Sequence, residues 1–378
     1  MPHLEHFQIG IIEGFFGRPW PWEDRHDYAD FLASSGYAFY IYAPKSDPYL
    51  RKAWKSDWPE TDWSALKALR ARYARAGVAF GIGLSPYGLV GEHTSPNVHE
   101  LREKVHRLNA LEPDLLAILF DDMPVSAKHL AKIQTEIVHE AMRASRAGAF
   151  LTCPTFYSDD PVLECMFGKM PEGYLQTLGT GLDAQVRMFW TGPRVCSEDY
   201  TEAHLATVAA RMGRKPFLWD NYPVNDGPKM CKHLHLRAFA KRPPILAQQT
   251  AGIAANPMNQ AQLSKLSLAT LPLSLSGERT YDPEEVFRSA ARVLGGEAFA
   301  RALLEDLSAF QDSGLDGMST ERRTVLRAKY TALPGPFSAE ILQWLDGGYA
   351  PSVDVLEDIA SFNLDQQLEE KPPADADP

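Results

Sequence analysis

Short apolar runs that end in Gly, Pro or polar residues recur along this chain, with stretches of helical period between them. The runs Phe7–Phe15, Ala38–Ala43, Val78–Leu84, Leu115–Phe120, Ala149–Cys153, Gln185–Trp190, Pro216–Trp219 and Gly252–Ala254 predict strands. Leu115–Phe120 is apolar throughout, the pattern of a parallel strand buried on both faces. Between the runs, Asp27–Ser34, Asp62–Ala76, Val98–Leu111, Ala127–Arg146 and Glu202–Met212 space their apolar residues at i, i+3 and i+4, giving each one stripe to lay on a sheet. Gly36, Gly77 and Gly148 stand where they can close helices in front of strands. Helices after the fifth and seventh strands are only weakly signalled. About eight strands alternating with helices predict an α/β fold, a (β/α)8 barrel of the TIM type. An open doubly wound sheet is the alternative. No GxGxxG follows the first strand, however, and no GxxxxGK followed by Ser or Thr occurs, so nucleotide binding has no support.

After Ser276 the strands stop. Pro283–Leu294, Glu297–Asp312, Thr320–Ala332, Ser338–Leu345 and Val353–Phe362 predict successive helices. The expected organisation is a barrel over residues 1–276, an all-helical region over 277–366 and an acidic, proline-rich, disordered tail over 367–378.

At 378 residues the chain can bury a large core, and its net charge of −11 argues against nucleic acid or an anionic membrane as a main partner. The N-terminus lacks a basic stretch followed by an apolar one, and no apolar run approaches the ~20 residues of a membrane span. A cytoplasmic protein is expected. The cysteines Cys153, Cys165, Cys196 and Cys231 form no CxxC pair, and no HExxH or similar spacing occurs. No metal and no cofactor are expected. His233 and His235 alternate with leucines and suit an ordinary structural role.

The strongest chemical signal is the end of the fourth predicted strand, where six apolar residues stop at Asp121 and Asp122. Barrels place their chemistry at the C-terminal ends of strands. Two carboxylates that close push their pKa values apart, so that one tends to keep its proton. An Asp capping the next helix would leave the same trace. Six of the other predicted strands end in EGFFGRPW, YAPK, CPTFY, WTGP, WDNYPVND and NPM, a mixture of carboxylates, amides, one lysine and flat rings. Sugars need that mixture, since hydroxyls take directional hydrogen bonds while CH faces lie on aromatic surfaces.

In this order EGFFGRPW, YAPKSDPY, LLAILFDD, CPTFY, WTGP, WDNYPVND and NPMNQA resemble the glycoside hydrolase family 84 enzymes, the β-N-acetylglucosaminidases that include the O-GlcNAcases. The likeness covers roughly residues 7–275. It implies a retaining, substrate-assisted exo-hydrolase in which the sugar's own acetamido oxygen attacks the anomeric carbon to form an oxazoline. By position, Asp121 would accept the acetamido N–H and Asp122 would be acid and then base. Tyr157 would orient the acetamido oxygen, and Trp219 would wall the pocket. Asn221 would position the sugar, while the Gly14 carbonyl, Lys45, Asp226 and Asn256 would bind ring hydroxyls. The implied substrate is a GlcNAc-bearing glycoprotein or glycopeptide. Free glycans such as chitin or hyaluronan fragments, and a silent GlcNAc-binding barrel, are the competing readings. A homodimer through the helical region is left open. Phe16 stands where the family's pattern has Tyr, and Ser46 where Asp is common.

Overall fold

The computed structural model describes residues 6–123, 129–277 and 280–352. Eight parallel strands close a barrel in sequence order. They are β1 (Ile9–Glu13), β2 (Phe39–Tyr42), β3 (Ala79–Leu84), β4 (Leu115–Leu119), β5 (Ala149–Cys153), β6 (Val186–Trp190), β7 (Phe217–Asp220) and β8 (Gly252–Ala255). β1 closes on β8 through Ile9–Ile253 and Ile11–Ala255 pairs. Each strand therefore delivers its last residues to one face, where the loops that follow meet.

The apolar runs are strands for the expected reason: β4, LLAIL, is buried at every position, between the barrel interior and the helical shell. Where a polar group enters this interior it is paired. Glu13 is fully buried against Arg25, with Nη2 to Oε1 at 2.6 Å, and also accepts from the Tyr40 hydroxyl. The helices Trp22–Ser34, Glu60–Ala76, Ser95–Leu108, Leu130–Ala144 and Glu202–Met212 ring the barrel. Glu60–Ala76 ends at Gly77, whose φ of 74° needs no side chain. Gly148 does not do this work: the preceding helix stops at Ala144 and Ser145 leaves it in an extended conformation.

After β5 two short helices appear, Val162–Phe167 and Tyr174–Gly181. The expected pair Pro283–Leu294 and Glu297–Asp312 is present within Pro283–Ser308 as two helices that meet at Gly296, whose φ of 80° and ψ of 165° are not helical. Thr320–Thr331 and Pro336–Leu345 follow. The expected helix Val353–Phe362 and the tail 367–378 lie outside the described residues. The helical region shares a second apolar core with the barrel's loops: Leu234, Leu236 and Leu263 pack with Phe287, Leu303 and Trp344. Glu340 reinforces it, accepting the Gln262 and Leu263 N–H groups at 3.0 and 2.7 Å. Those are orphan donors at the start of the helix Ala261–Leu268, where a carboxylate is favourably placed. Among the described residues no helix is long and apolar enough to cross a membrane.

Candidate active site

A cavity of about 440 Å³ opens at the C-terminal end of the barrel. Gly14 from the β1 end, Asp121 and Asp122 from β4, Tyr157 from β5, Trp219, Asn221 and Asp226 from β7 and Asn256 from β8 all line it. Residues more than two hundred positions apart in the chain thus converge because their strands are neighbours in the barrel. Lys45 stands just outside this lining. Its ammonium forms a buried ion pair with Asp121 Oδ2.

Asp121 and Asp122 have different surroundings although they are adjacent. Asp121 is 4 % exposed, with one oxygen on Lys45 and the other, Oδ1, buried without a hydrogen-bond partner among the described residues. The Cys153 thiol beside it is at most a weak donor; burial and then the Asp121 charge push that thiol's pKa well up. A buried carboxylate oxygen without a strong donor is costly, and a donor brought by a bound molecule would offset that cost. Asp122 takes the left-handed conformation, φ 52°, which strains a residue with a side chain. Arg51 Nη2 holds the Asp122 carbonyl at 2.7 Å. Burial pushes the Asp122 carboxyl above its ordinary pKa; Lys45 opposes the rise and Asp121 adds to it. Tyr157 donates to Asp122 Oδ1 at 2.8 Å. One carboxylate is therefore fixed by a cation while its neighbour is biased toward the protonated form, the separation of roles that acid catalysis requires.

The far wall is a hydrogen-bonded frame. Trp219 Nε1 donates to Asn221 Oδ1 at 3.0 Å, and Asn256 Nδ2 donates to the same oxygen at 3.0 Å. Asn256 Oδ1 accepts the Gly14 N–H at 3.2 Å. Gly14 must be glycine here, because a Cβ would stand 2.5 Å from Trp219 Cζ2. Asp226 Oδ2 takes the Phe16 N–H at 2.7 Å, and burial raises its pKa to about 6. The frame fixes rings and amides before any ligand arrives, which lowers the entropy lost on binding.

Trp190, in contrast, is fully buried and donates from Nε1 to His204, away from the cavity. Residues that sequence reasoning passed over also matter. Asn259 Nδ2 holds the carbonyls of Phe16 and Arg18 at 2.9 and 3.0 Å, and Asn225 Nδ2 reaches Gln260 Oε1 at 2.9 Å. These amides lie inside the quoted WDNYPVND and NPMNQA runs and brace the β1, β7 and β8 loops against each other. Cys153, Asp160 and Cys196 line the cavity too.

The sequence profile described as beta-N-acetylglucosaminidase matches residues 9–311. Two curated relatives, Protein O-GlcNAcase of Rattus norvegicus and of Mus musculus, are each 28 % identical over 275 residues, 70 % of this chain. That stretch is only 29 % of either relative's length, so the chain spans less than a third of them. A solved structure of a variant O-GlcNAc hydrolase from Thermobaculum terrenum is 30 % identical, superposes with a TM-score of 0.73, and covers 98 % of this chain and 79 % of its own.

Proposed function

We propose, from the premise that this chain belongs to the β-N-acetylglucosaminidase family, that its barrel removes terminal β-linked GlcNAc from serine or threonine of proteins or glycopeptides, with retention and by substrate-assisted catalysis. The observation that carries the reading is the divided pair at the end of β4: Asp121 anchored by Lys45 with one oxygen lacking a strong donor, Asp122 half-buried and biased toward its acid form.

In the proposed course, Asp121 Oδ1 accepts the acetamido N–H of the bound sugar. That contact orients the acetamide and favours the positive charge that spreads onto its nitrogen as its oxygen attacks the anomeric carbon. The attack is intramolecular, so it carries the effective-molarity advantage of a held nucleophile. Asp122 gives its proton to the departing oxygen. An oxazoline forms, the serine or threonine hydroxyl leaves, and Asp122, now a carboxylate, takes a proton from the water that opens the ring. Trp219 walls the acetyl group, and Asn221, Asp226, Asn256 and the Gly14 carbonyl bind hydroxyls. Lys45 contributes through Asp121 and reaches a ring hydroxyl of the bound sugar.

Tyr157 has one proton to donate. With no sugar bound it goes to Asp122. If the acetamido oxygen takes that donation on binding, Asp122 loses a bond that favours its charged form and its pKa rises when a proton is needed.

The test is release of GlcNAc from a GlcNAc-serine glycopeptide beside a chitin oligosaccharide of equal concentration. The glycopeptide is expected to be cleaved with the higher kcat/KM. A preference for the chitin fragment would move the protein to the free-glycan class, and binding of both without turnover would make it a silent lectin-like barrel.

A further inference from the structure

We propose that Arg51 is a positioning residue for the acid: it grips the main chain of Asp122 and so holds that carboxyl in the sugar cavity; this rests on the reading of Asp122 as the acid. The need for such a grip follows from the strand. Along an extended chain successive side chains point to opposite faces. Asp121 and Asp122 are consecutive and follow β4, and yet both line the same cavity. The turn that brings the second one round is the left-handed conformation of Asp122, φ 52°. A residue with a side chain keeps that conformation only where its surroundings enforce it.

Arg51 is placed to enforce it. Its guanidinium donates from Nη2 to the Asp122 carbonyl at 2.7 Å, and the residue is only 2 % exposed. Its Cζ lies 5.3 Å from the Phe16 ring centre and 5.5 Å from that of Tyr87, two aromatic contacts that limit how far the planar fork can swing. The backbone beneath it is fixed as well. The helical turn Pro48–Leu50 is capped by Asp47, which accepts the Tyr49 N–H at 2.9 Å, and the Arg51 N–H returns to the Pro48 carbonyl at 3.1 Å. The Leu50 carbonyl takes the Ser85 N–H at 2.8 Å, which ties the turn to the end of β3, the neighbour of β4. An arginine salt-bridged to the carboxyl itself would draw its pKa down and weaken it as an acid. Held through the carbonyl, Asp122 is aimed and keeps its bias: burial raises its pKa most, and Arg51 opposes the rise less than Lys45 or Tyr157 does.

The experiment compares the wild-type chain with Arg51→Met, Arg51→Lys and Tyr87→Leu on two substrates, a GlcNAc-serine glycopeptide and an aryl GlcNAc glycoside whose phenol departs without a proton. Arg51→Met should lower kcat on the glycopeptide by about ten- to a hundredfold, the cost of a small misplacement of a reacting group, and leave KM nearly as it was. The loss on the aryl glycoside should be much smaller. The alkaline limb of kcat/KM should move to higher pH, because the substitution withdraws a cation that favours the carboxylate; Lys45, Asp121, Cys153, Tyr157 and Asp226, the other groups that act on Asp122 or feel its charge, keep their identities. Arg51→Lys keeps the charge and loses the fork, so its limb should stay at the wild-type pH while kcat recovers part of the way. Tyr87→Leu loosens the guanidinium without removing its charge and should give a smaller loss of the same kind. A role in folding alone would lower the yield of active protein and cut both substrates equally. Equal losses on the two substrates, or an alkaline limb that stays put in Arg51→Met, would overturn the inference. Should that variant not fold, equal losses in Arg51→Lys and Tyr87→Leu would overturn it instead. Asp122→Asn runs alongside: equal losses there remove the acid and the inference together, whereas a split there with none at Arg51 sinks the inference alone.

Discussion

Asp122→Asn should slow hydrolysis of a GlcNAc-serine glycopeptide by about 10²- to 10⁴-fold, the usual worth of a positioned general acid. The same variant should lose far less on an aryl glycoside whose phenol departs without a proton. The reason is the alkoxide: a serine oxygen leaving unprotonated is a strong base, and in the proposed course Asp122 is the group that protonates it. The pH profile gives a second view. Burial raises the Asp122 pKa, and the reaction needs the protonated form, so wild-type kcat/KM should fall as pH climbs through that raised value. The Asn variant should lack this alkaline limb. Tyr157→Phe removes a donor that favours the charged carboxyl, so it should move the limb to higher pH while lowering kcat moderately. Equal losses on both leaving groups, or an alkaline limb that survives in the Asn variant, would remove Asp122 from the acid role.

Asp121→Asn should be damaging whatever the leaving group, by about 10²- to 10³-fold, because it withdraws a preorganised charge from the nucleophile's nitrogen rather than a proton from the leaving oxygen. It should also destabilise the protein. Lys45 and Asp121 have side chains only 2 % and 5 % exposed, and removing one partner strands a buried charge, at a cost of about 3–5 kcal/mol. These two effects separate in the double variant Lys45→Met with Asp121→Asn. Denaturant midpoints should recover toward wild type, since an apolar residue can replace a buried ion, while activity should stay low. Recovery of activity together with stability would mean that Asp121 acts only through folding.

The barrel was legible because its strands are buried on both sides, and a run such as Leu115–Phe120 has few other structures open to it. The paired acids were legible for the same reason: charge directly after such a run has to lie at a strand end. Other features depended on contacts that no local pattern encodes. Between β7 and β8 the chain carries only Met230–Lys232 and Leu246–Gln249 as short helical turns, and its Leu234 and Leu236 pack on the later helices instead of on the barrel. No 3.6-residue stripe forms, so no helix could be read there. Pro283–Ser308 was readable as two helices because Gly295 and Gly296 interrupt the pattern, and Gly296 does break the helical backbone there.

At the site, residue types carried more information than partners. The lysine and the aspartate of the Lys45–Asp121 pair stand 76 positions apart, and only barrel closure brings them together. Tyr157 was expected at an acetamido oxygen, and its hydroxyl rests on Asp122. Trp190 and Trp219 both end strands, yet one packs against His204 and the other faces the cavity. A strand's final residue can turn either way, and only its neighbours decide.

The account depends on the sugar supplying its own nucleophile. The most direct measurement is kcat/KM for a series of aryl glycosides whose acetamide carries none, one, two or three fluorine atoms. Each fluorine draws electrons from the acetamido oxygen and leaves the leaving group and the protein untouched. A steep fall across the series is the predicted result. A flat series would contradict the account and would hand the attack on the anomeric carbon to a group of the protein or to water.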